Sequence, residues 1–332
     1  MKKNFSNCKL KVKKLVVLIL IAFFMAMLII YPDKYVDCCL QGIKLWGLTV
    51  LPSLLPFFFL TQLLTCTGVL NGLSYKASKI TYPLFKCSGL GAYSFLMSAL
   101  SGYPVGSRIV YDLKTSNLIT KSEATKISVL ASTSGPLFII GAVGIGMFNS
   151  KTVGGIIYIS HILSAIAVGL IFRNYGKEER INYKLKHDTK SNNILYNSIY
   201  NAVLSSIIVG GFISIFYVFA EILQNAKLLT PIEKVFNLLF SLSNESKSLS
   251  LATSIGIIEA TNGIKKLSLI KCVKLTVPLS CALISFGGIS IIMQSLIYLQ
   301  KAEVKTYHFI LGKILQTIIS FVICYIFTYF LL

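Results

Sequence analysis

Two pairs of segments, one in each half of the chain, carry glycine, proline and small polar residues inside otherwise apolar sequence. SGYPVGSR (101–108) precedes TSGPLFIIGAVG (133–144), and GIIEATNGIKK (256–266) precedes SFGGISIIMQ (285–294). A backbone N–H or C=O without a partner is costly in lipid, so broken helices survive at membrane depth only when protein buries them or when they line a polar cavity. The four segments therefore predict a binding site, and their twofold occurrence is typical of a duplicated transporter scaffold.

Helices that begin inside a membrane favour anionic ligands. Each such end presents unpaired N–H groups and about half a positive charge. The residues predicted to supply these ends are Gly102, Pro104 and Gly106, then Ser134, Gly135 and Pro136, and in the second half Gly287 and Gly288. The alternative for any one of these small residues is close packing between helices.

Other residues of the same motifs complete the candidate substrate site. These are Ser101, Tyr103, Thr261, Asn262, Ser285, Phe286 and Gln294. No catalytic residue and no metal ligand is predicted.

Four ionisable residues lie in or beside apolar sequence. Glu259, inside GIIEATNG, is the strongest single candidate, since a carboxylate within a membrane segment must be paired, protonated or exposed to a polar cavity. Arg108 either pairs with a substrate carboxylate or anchors the segment at the cytoplasmic interface. His161 falls within a span and is expected to hydrogen-bond to a neighbouring helix, whereas Glu221 is expected at a helix end, in the interface.

The composition indicates an integral membrane protein. Hydrophobic residues make up 55% of the chain, charged residues 13%, and the mean hydropathy is +0.74. The formal net charge is +20, but the basic residues lie in short segments between apolar runs, which favours membrane orientation over nucleic-acid binding. A cytoplasmic amino terminus follows from the lysines before the first apolar run, Leu15 to Tyr31. We expect that run to be a retained helix, because no clear signal-peptide cleavage site follows it.

The fold is expected to be an all-α polytopic bundle with an inverted repeat. Further spans are predicted at Trp46–Leu70, Ile127–Phe148, Val153–Phe172, Ile194–Leu223, Cys272–Leu299 and Phe309–Leu332. Re-entrant hairpins are predicted at Leu84–Val110 and Val235–Ile264. The predicted domains are residues 1–45 (basic terminus, first helix, external loop), a repeat at 46–172, a basic cytoplasmic connector at 173–193 and a second repeat at 194–332. This topology would place Lys265, Lys266, Lys271 and Lys274 outside, against the positive-inside trend.

Other chemistry finds no support in the sequence. The eight cysteines form no CxxC motif, and no P-loop, HExxH or GxSxG occurs. We therefore expect no enzymatic activity and no cofactor, and transport that is downhill, ion-coupled or assisted. The coupling ion, H⁺ or Na⁺, stays open.

SGYPVG with SGPLFIIGAVG, followed by GIIEATNG and SFGGISIIMQ, resembles the sporulation integral membrane proteins of the Gate-domain, or nucleoside-recognition, group. That group is similar to the concentrative nucleoside transporters and to the permease part of ferrous iron transporters. The resemblance runs from about Trp46 to the carboxyl end. One departure is visible: Ile292 stands where a histidine is expected.

The resemblance implies transport of dipicolinic acid from the mother cell across the outer forespore membrane. Dipicolinate carries two carboxylates and a pyridine ring, which opposed half-helix ends and Tyr103 or Phe286 would suit. The nucleoside transporters use an acidic residue at the position of Glu259 to hold the sugar. Alternatives are a nucleoside, other small-solute or ion permease, a non-transporting factor of spore maturation and, less supported, a membrane enzyme. The expected partners are the substrate and lipid; a homo-oligomer is left open.

Overall fold

The computed structural model describes residues 2–66, 69–176 and 193–332, and the side chains of these residues except 2–13, 61, 64–66 and 69–76. All regular secondary structure in this part of the chain is helical. In chain order the helices are α1 (Lys2–Ile30), α2 (Pro32–Leu45), α3 (Leu51–Cys66), α4 (Val69–Phe85), α5 (Gly89–Ser101), α6 (Val105–Thr115), α7 (Lys121–Leu130), α8 (Lys151–Ile171), α9 (Ile194–Asn225), α10 (Thr230–Leu239), α11 (Ser246–Ile258), α12 (Ala260–Ser268), α13 (Val273–Phe286), α14 (Gly288–Lys301) and α15 (Thr306–Leu331). Two π-helical segments, Trp46–Val50 and Leu137–Ile145, follow α2 and α7.

The all-α polytopic fold class is confirmed. Among the described residues, five helical stretches are long and apolar enough to cross a membrane. They are Pro32–Leu60, Lys151–Asn174, Ile194–Asn225, Val273–Lys301 and Thr306–Leu331. The predicted first span lies within α1, and the predicted span at 127–148 is broken between α7 and the second π-helix.

The stretch predicted as a loop before residue 46 is helical; its external position stays a prediction. Its sequence forms α2, which continues through a π-helix into α3. Pro32 suits the first turn of a helix, and Asp33 complements the helix dipole there. Gly42 packs against the backbone of Ser214 in α9, which explains why this polar stretch is helical and docked.

Each predicted hairpin exists as a pair of helices, but both begin later in the chain than expected. The first consists of α5 and α6, because residues 69–85 form the separate helix α4. The second consists of α11 and α12, because residues 230–239 form the separate helix α10. Both halves therefore show the same order: long helix, connecting helix, hairpin, broken span, span. The inversion of the second half and the domain boundaries stay predictions.

Buried charges fix the entrance to the first hairpin. The carboxylate of Glu123, in α7, accepts the N–H of Ser88 at 2.6 Å, just before α5 begins. Lys126, one turn later, donates to the carbonyl of Lys86 at 2.6 Å, at the end of α4. The broken span that begins with α7 thus binds the residues just before α5, where the first hairpin begins. The same span also contacts the tip of this hairpin.

Two of the four lysines that conflict with the positive-inside trend have partners within the fold. Lys266 pairs with Glu221 at 3.1 Å, and Lys274 lies 5.4 Å from the ring centroid of Tyr329. Glu221 lies near the carboxyl end of α9, as expected, and is mostly buried against α12; its interfacial position stays a prediction. The predicted basic connector lies outside the described residues from position 177 to 192.

Candidate functional site

The tip of the first hairpin packs backbone to backbone against the break after α7. Gly102 has φ +83° and ψ −173°, a conformation open almost only to glycine. A Cβ on Gly102 would lie 2.8 Å from the backbone nitrogen of Gly135. Thr133 strengthens this contact, because its N–H and hydroxyl both reach Ser98 Oγ, at 3.2 and 2.9 Å.

The second hairpin meets the break between α13 and α14 in the same way. Gly287 and Gly288 both have positive φ, which allows the chain to end one helix and begin the next at once. A Cβ on Gly288 would lie 3.1 Å from the nitrogen of Ala260 and 3.2 Å from the carbonyl oxygen of Ile258. Each hairpin tip therefore sits on the broken span that follows it in sequence.

His161, fully buried in α8, joins the two broken spans. Its Nε2 accepts the N–H of Ser134 at 2.9 Å, and its Nδ1 lies 2.8 Å from Ser285 Oγ. Because Nε2 accepts a backbone N–H, the ring is neutral and its proton resides on Nδ1, which donates to Ser285. The expectation of a hydrogen bond to a neighbouring helix is confirmed.

Tyr103 and Lys313 form a second junction. The Tyr103 hydroxyl donates to the Ser132 carbonyl at 3.0 Å and approaches the Ile284 carbonyl at 3.4 Å, so it spans the carboxyl ends of both half-helices α7 and α13. Lys313, buried in α15, donates to the same hydroxyl at 2.6 Å. Cations at helix carboxyl ends offset the negative end of the dipole.

A cavity of about 50 Å³ lies among these tips and breaks. Its polar wall comes from the hairpins and broken spans, and it includes eight residues of the predicted site. They are Ser101, Gly102, Tyr103, Ser134, Gly135, Glu259, Thr261 and Gln294. The opposite wall is apolar and comes from Val50, Leu54, Val209 and Ile213 of the first π-helix, α3 and α9. Since such a volume holds a few water molecules, an aromatic ligand requires the walls to separate.

Glu259 is the one ionisable carboxylate of this wall. Its two oxygens accept the N–H groups of Thr261 at 3.1 Å and Asn262 at 2.6 Å, so it caps the start of α12. Both bonds are to its own hairpin. The α12 amino end is therefore already occupied by a carboxylate.

Ser101 offers an unused polar group at the cavity. Its Oγ is buried and has no hydrogen-bond partner in the described part of the chain. The side-chain nitrogen of Gln294 lies 3.5 Å from Ser290 Oγ, on the preceding turn of α14. The wall can therefore offer hydroxyl and amide groups to a polar ligand.

Nine predicted residues lie outside the cavity lining. Pro104 and Pro136 precede α6 and the second π-helix, Gly106 packs against the Ala131 carbonyl, and Ser285 binds His161. Asn262 approaches Glu221 Oε1 with its side-chain nitrogen at 3.5 Å. Gly287 and Gly288 form the turn, and the remaining two are Arg108 and Phe286.

Arg108 and Phe286 point elsewhere. Arg108 interacts electrostatically with Asp112, one turn along α6, and not with the cavity. Phe286 lines a different, almost wholly apolar cavity of about 430 Å³ with residues of α10, α11, α13 and α15. Its side chain leaves the broken span on the face opposite the polar wall, so Tyr103 is the aromatic residue of the pair that can face a ligand ring.

The structure adds residues that sequence reasoning missed. Phe138, Ser290 and Ile291 line the cavity, and Lys313 lies behind Tyr103. A signal for Lys313 was present, because a lysine within an apolar span is rare and marks a functional position. Ile292, at the position of the expected histidine, is buried in the apolar cluster around α5 and α6 and does not line the cavity.

The chain has a membrane-transporter-like fold, because two solved structures of CNTnw, a concentrative nucleoside transporter, are similar to it in overall fold. One is in an outward-facing state (TM-score 0.54, 12% identity) and one in an intermediate state (TM-score 0.55, 15% identity). Each match covers 96% of this chain and 86% of the other, and at this identity it shows the fold alone.

The sequence is similar to the sporulation integral membrane protein YlbJ of Bacillus subtilis (strain 168). The two are 28% identical over 92% of this chain and 80% of YlbJ. No protein-family model matches the chain. The resemblance inferred from the four motifs is confirmed, and the chain is an integral membrane protein with a transporter-like fold.

Proposed function

We propose that this protein transports a small carboxylate, dipicolinate above all, across the outer forespore membrane during sporulation. The observation that carries the proposal is the convergence of two hairpin tips and two broken spans on one cavity with a polar wall. The similarity to a sporulation membrane protein supports the biological setting, and Tyr103 in that wall suits a pyridine ring. The basic amino terminus is then cytoplasmic, on the mother-cell side. The protein acts as a transporter and not as an enzyme.

The charge of the cavity makes coupling part of the proposal. Glu259 lines it, and no arginine or lysine does so among the described residues. A dianion beside a carboxylate in a site of low dielectric is strongly disfavoured. A proton on Glu259, or a cation that enters with the substrate, removes this repulsion. Transport is therefore coupled to H⁺ or Na⁺.

A neutral nucleoside is the second candidate. The wall offers hydroxyl, amide and carboxylate groups, which hydrogen-bond to a sugar without needing a cation, and the fold matches that of a concentrative nucleoside transporter. A spore-maturation factor that transports nothing is the third outcome of the experiment below.

The test is uptake into liposomes that contain only this protein. Labelled dipicolinate and labelled uridine are offered separately, with an imposed pH gradient, a Na⁺ gradient or neither. We expect dipicolinate uptake that one gradient accelerates, and little uptake of uridine. Uptake of uridine alone supports the second candidate, and a folded protein that moves neither solute refutes transport.

The cap made by Glu259 offers a matched pair of variants. Asp and Asn are equally good at helix amino ends, so Glu259→Asp keeps the cap and the charge, whereas Glu259→Asn keeps the cap and removes the charge. We expect both variants to accumulate normally. Only Glu259→Asn should lose the dependence of flux on the gradient. Equal gradient dependence in both variants would remove Glu259 from coupling and leave it a structural cap.

A further inference from the structure

Lys313 is a buried cation without a counter-ion. Its side chain is 1% exposed, and none of the ion pairs found in the described residues involves it. Its three contacts are Tyr103 Oη at 2.6 Å, the Ser132 carbonyl at 3.3 Å and Gln316 Oε1 at 3.4 Å.

These contacts match the charged form of the amine. An ammonium group has three donors, and Lys313 Nζ lies near three oxygen atoms that can accept them. The Ser132 carbonyl follows α7, whose negative dipole end offsets part of the charge. The remaining positive charge acts on the surrounding groups, where the dielectric constant is low.

Tyr103 is all that separates this charge from the cavity. Lys313 Nζ lies 4.3 Å from the centroid of the Tyr103 ring, and that ring lines the cavity. Glu259 also lines the cavity, and when it is ionised it bears the opposite charge. The nearby His161 ring is neutral, as its hydrogen bonds require. The cavity thus has a positive side at Tyr103.

We propose that Lys313 is the specificity-determining cation of this site, and that it holds a substrate carboxylate at the Tyr103 side and rejects neutral analogues. The inference rests on the proposed function, in which the substrate is a small carboxylate. Lys313 acts through space and through Tyr103, so it is a positioning residue that does not itself contact the ligand.

The expected effect follows from Coulomb's law. If the ligand ring stacks on the cavity face of Tyr103, about 4 Å beyond it, a carboxylate on that ring lies about 8 Å from Nζ. At an effective dielectric constant of about 20, this attraction is worth roughly 30-fold in affinity. Lys313→Met keeps most of the apolar stem. It should lower the affinity for dipicolinate by that factor and leave the affinity for a neutral analogue unchanged.

The experiment measures ligand-induced thermal stabilisation of the purified protein and KM for uptake. The ligands are dipicolinate, picolinate and pyridine-2,6-dicarboxamide, which share one ring and carry two, one and no carboxylates. Lys313→Arg is the matched control that retains charge. We expect affinity to fall from dipicolinate to the diamide in the wild type and in Lys313→Arg, and this order to flatten in Lys313→Met.

Lys313→Met removes the ammonium donor from Tyr103 Oη, the Ser132 carbonyl and Gln316 Oε1. Lys313→Gln, which retains N–H donors without the charge, is therefore tested beside it. An unchanged preference for carboxylates in a folded neutral variant overturns the role of Lys313 while the proposed function stands. If neither dipicolinate nor picolinate stabilises the wild-type protein or is taken up by it, both proposals fail. An equal loss of affinity for all three ligands assigns Lys313 to packing alone and also refutes the inference.

Discussion

Substitution of Gly102 by alanine tests whether the hairpin tip must touch the broken span. Alanine has to adopt φ +83° with ψ −173°, which costs a non-glycine residue about 1–3 kcal/mol. Its Cβ must also fit 2.8 Å from the nitrogen of Gly135, and overpacking of this kind costs about 1–3 kcal/mol. The combined cost is about 2–6 kcal/mol. It destabilises the contact between Gly102 and Gly135, which forms one end of the cavity.

The control must be a glycine that is not tightly packed. Gly154 of α8 is unsuitable, because an added Cβ would lie 2.8 Å from Ile140 Cα. Gly155, the next residue of α8, has nothing within 4 Å of an added Cβ. Gly155→Ala is therefore the matched control, in a helix that alanine favours.

The assay combines dipicolinate flux in liposomes with the apparent melting temperature in detergent. We expect Gly102→Ala to lose flux and to melt at lower temperature, and Gly155→Ala to behave as the wild type. A Gly102→Ala protein with wild-type melting and wild-type flux would show that the tip does not need this approach. Equal losses in both variants would point to general sensitivity of the bundle and refute the reasoning.

Two further predictions concern the centre and the topology. His161→Phe leaves the Ser134 N–H and the Ser285 hydroxyl without a partner, so we expect the melting temperature to fall by roughly 5–10 °C. His308→Phe, at a half-buried ring whose Nδ1 has no partner in the described residues, should change it little, and the prediction fails if the two shifts are equal. Cysteines placed at positions 10 and 185 of a cysteine-free chain should react with an impermeant reagent from the same, cytoplasmic side, and labelling from opposite sides would contradict the positive-inside assignment and the inverted repeat.

The sequence predicted the breaks because glycine and proline have local backbone consequences. Gly102, Gly287 and Gly288 stand where the chain must adopt positive φ, and that requirement is visible in residue type alone. Residue type also marks where helices begin and end. The predicted spans at 153–172 and 194–223 therefore match α8 and α9 within two residues.

The rest depended on contacts between distant parts of the chain. Val50, Leu54, Val209 and Ile213 form the apolar wall, yet in the sequence they cannot be distinguished from residues that face lipid. The direction of Phe286 depends on how α13 is rotated against α11 and α15, which periodicity in a wholly apolar helix does not specify. Helices α4 and α10 were not predicted as separate elements; the predicted hairpins included only the last two residues of α4 and the second half of α10.

The polar and apolar walls of the cavity indicate which helices would move during the proposed transport. Hydrogen bonds through Tyr103 and Ser98 attach the first hairpin to the first broken span, and His161 of α8 joins the two broken spans, so these elements are expected to move together. The wall from the first π-helix, α3 and α9 contributes only apolar side chains to the cavity, and such a surface resists sliding less than a hydrogen-bonded one. Glu221 of α9 is the notable polar link across this boundary, since it binds both Lys266 and Asn262 of α12. If the proposed transport exposes Glu259 along this boundary, we expect this link to open. Glu259 caps α12, the nine-residue helix that carries both partners of Glu221.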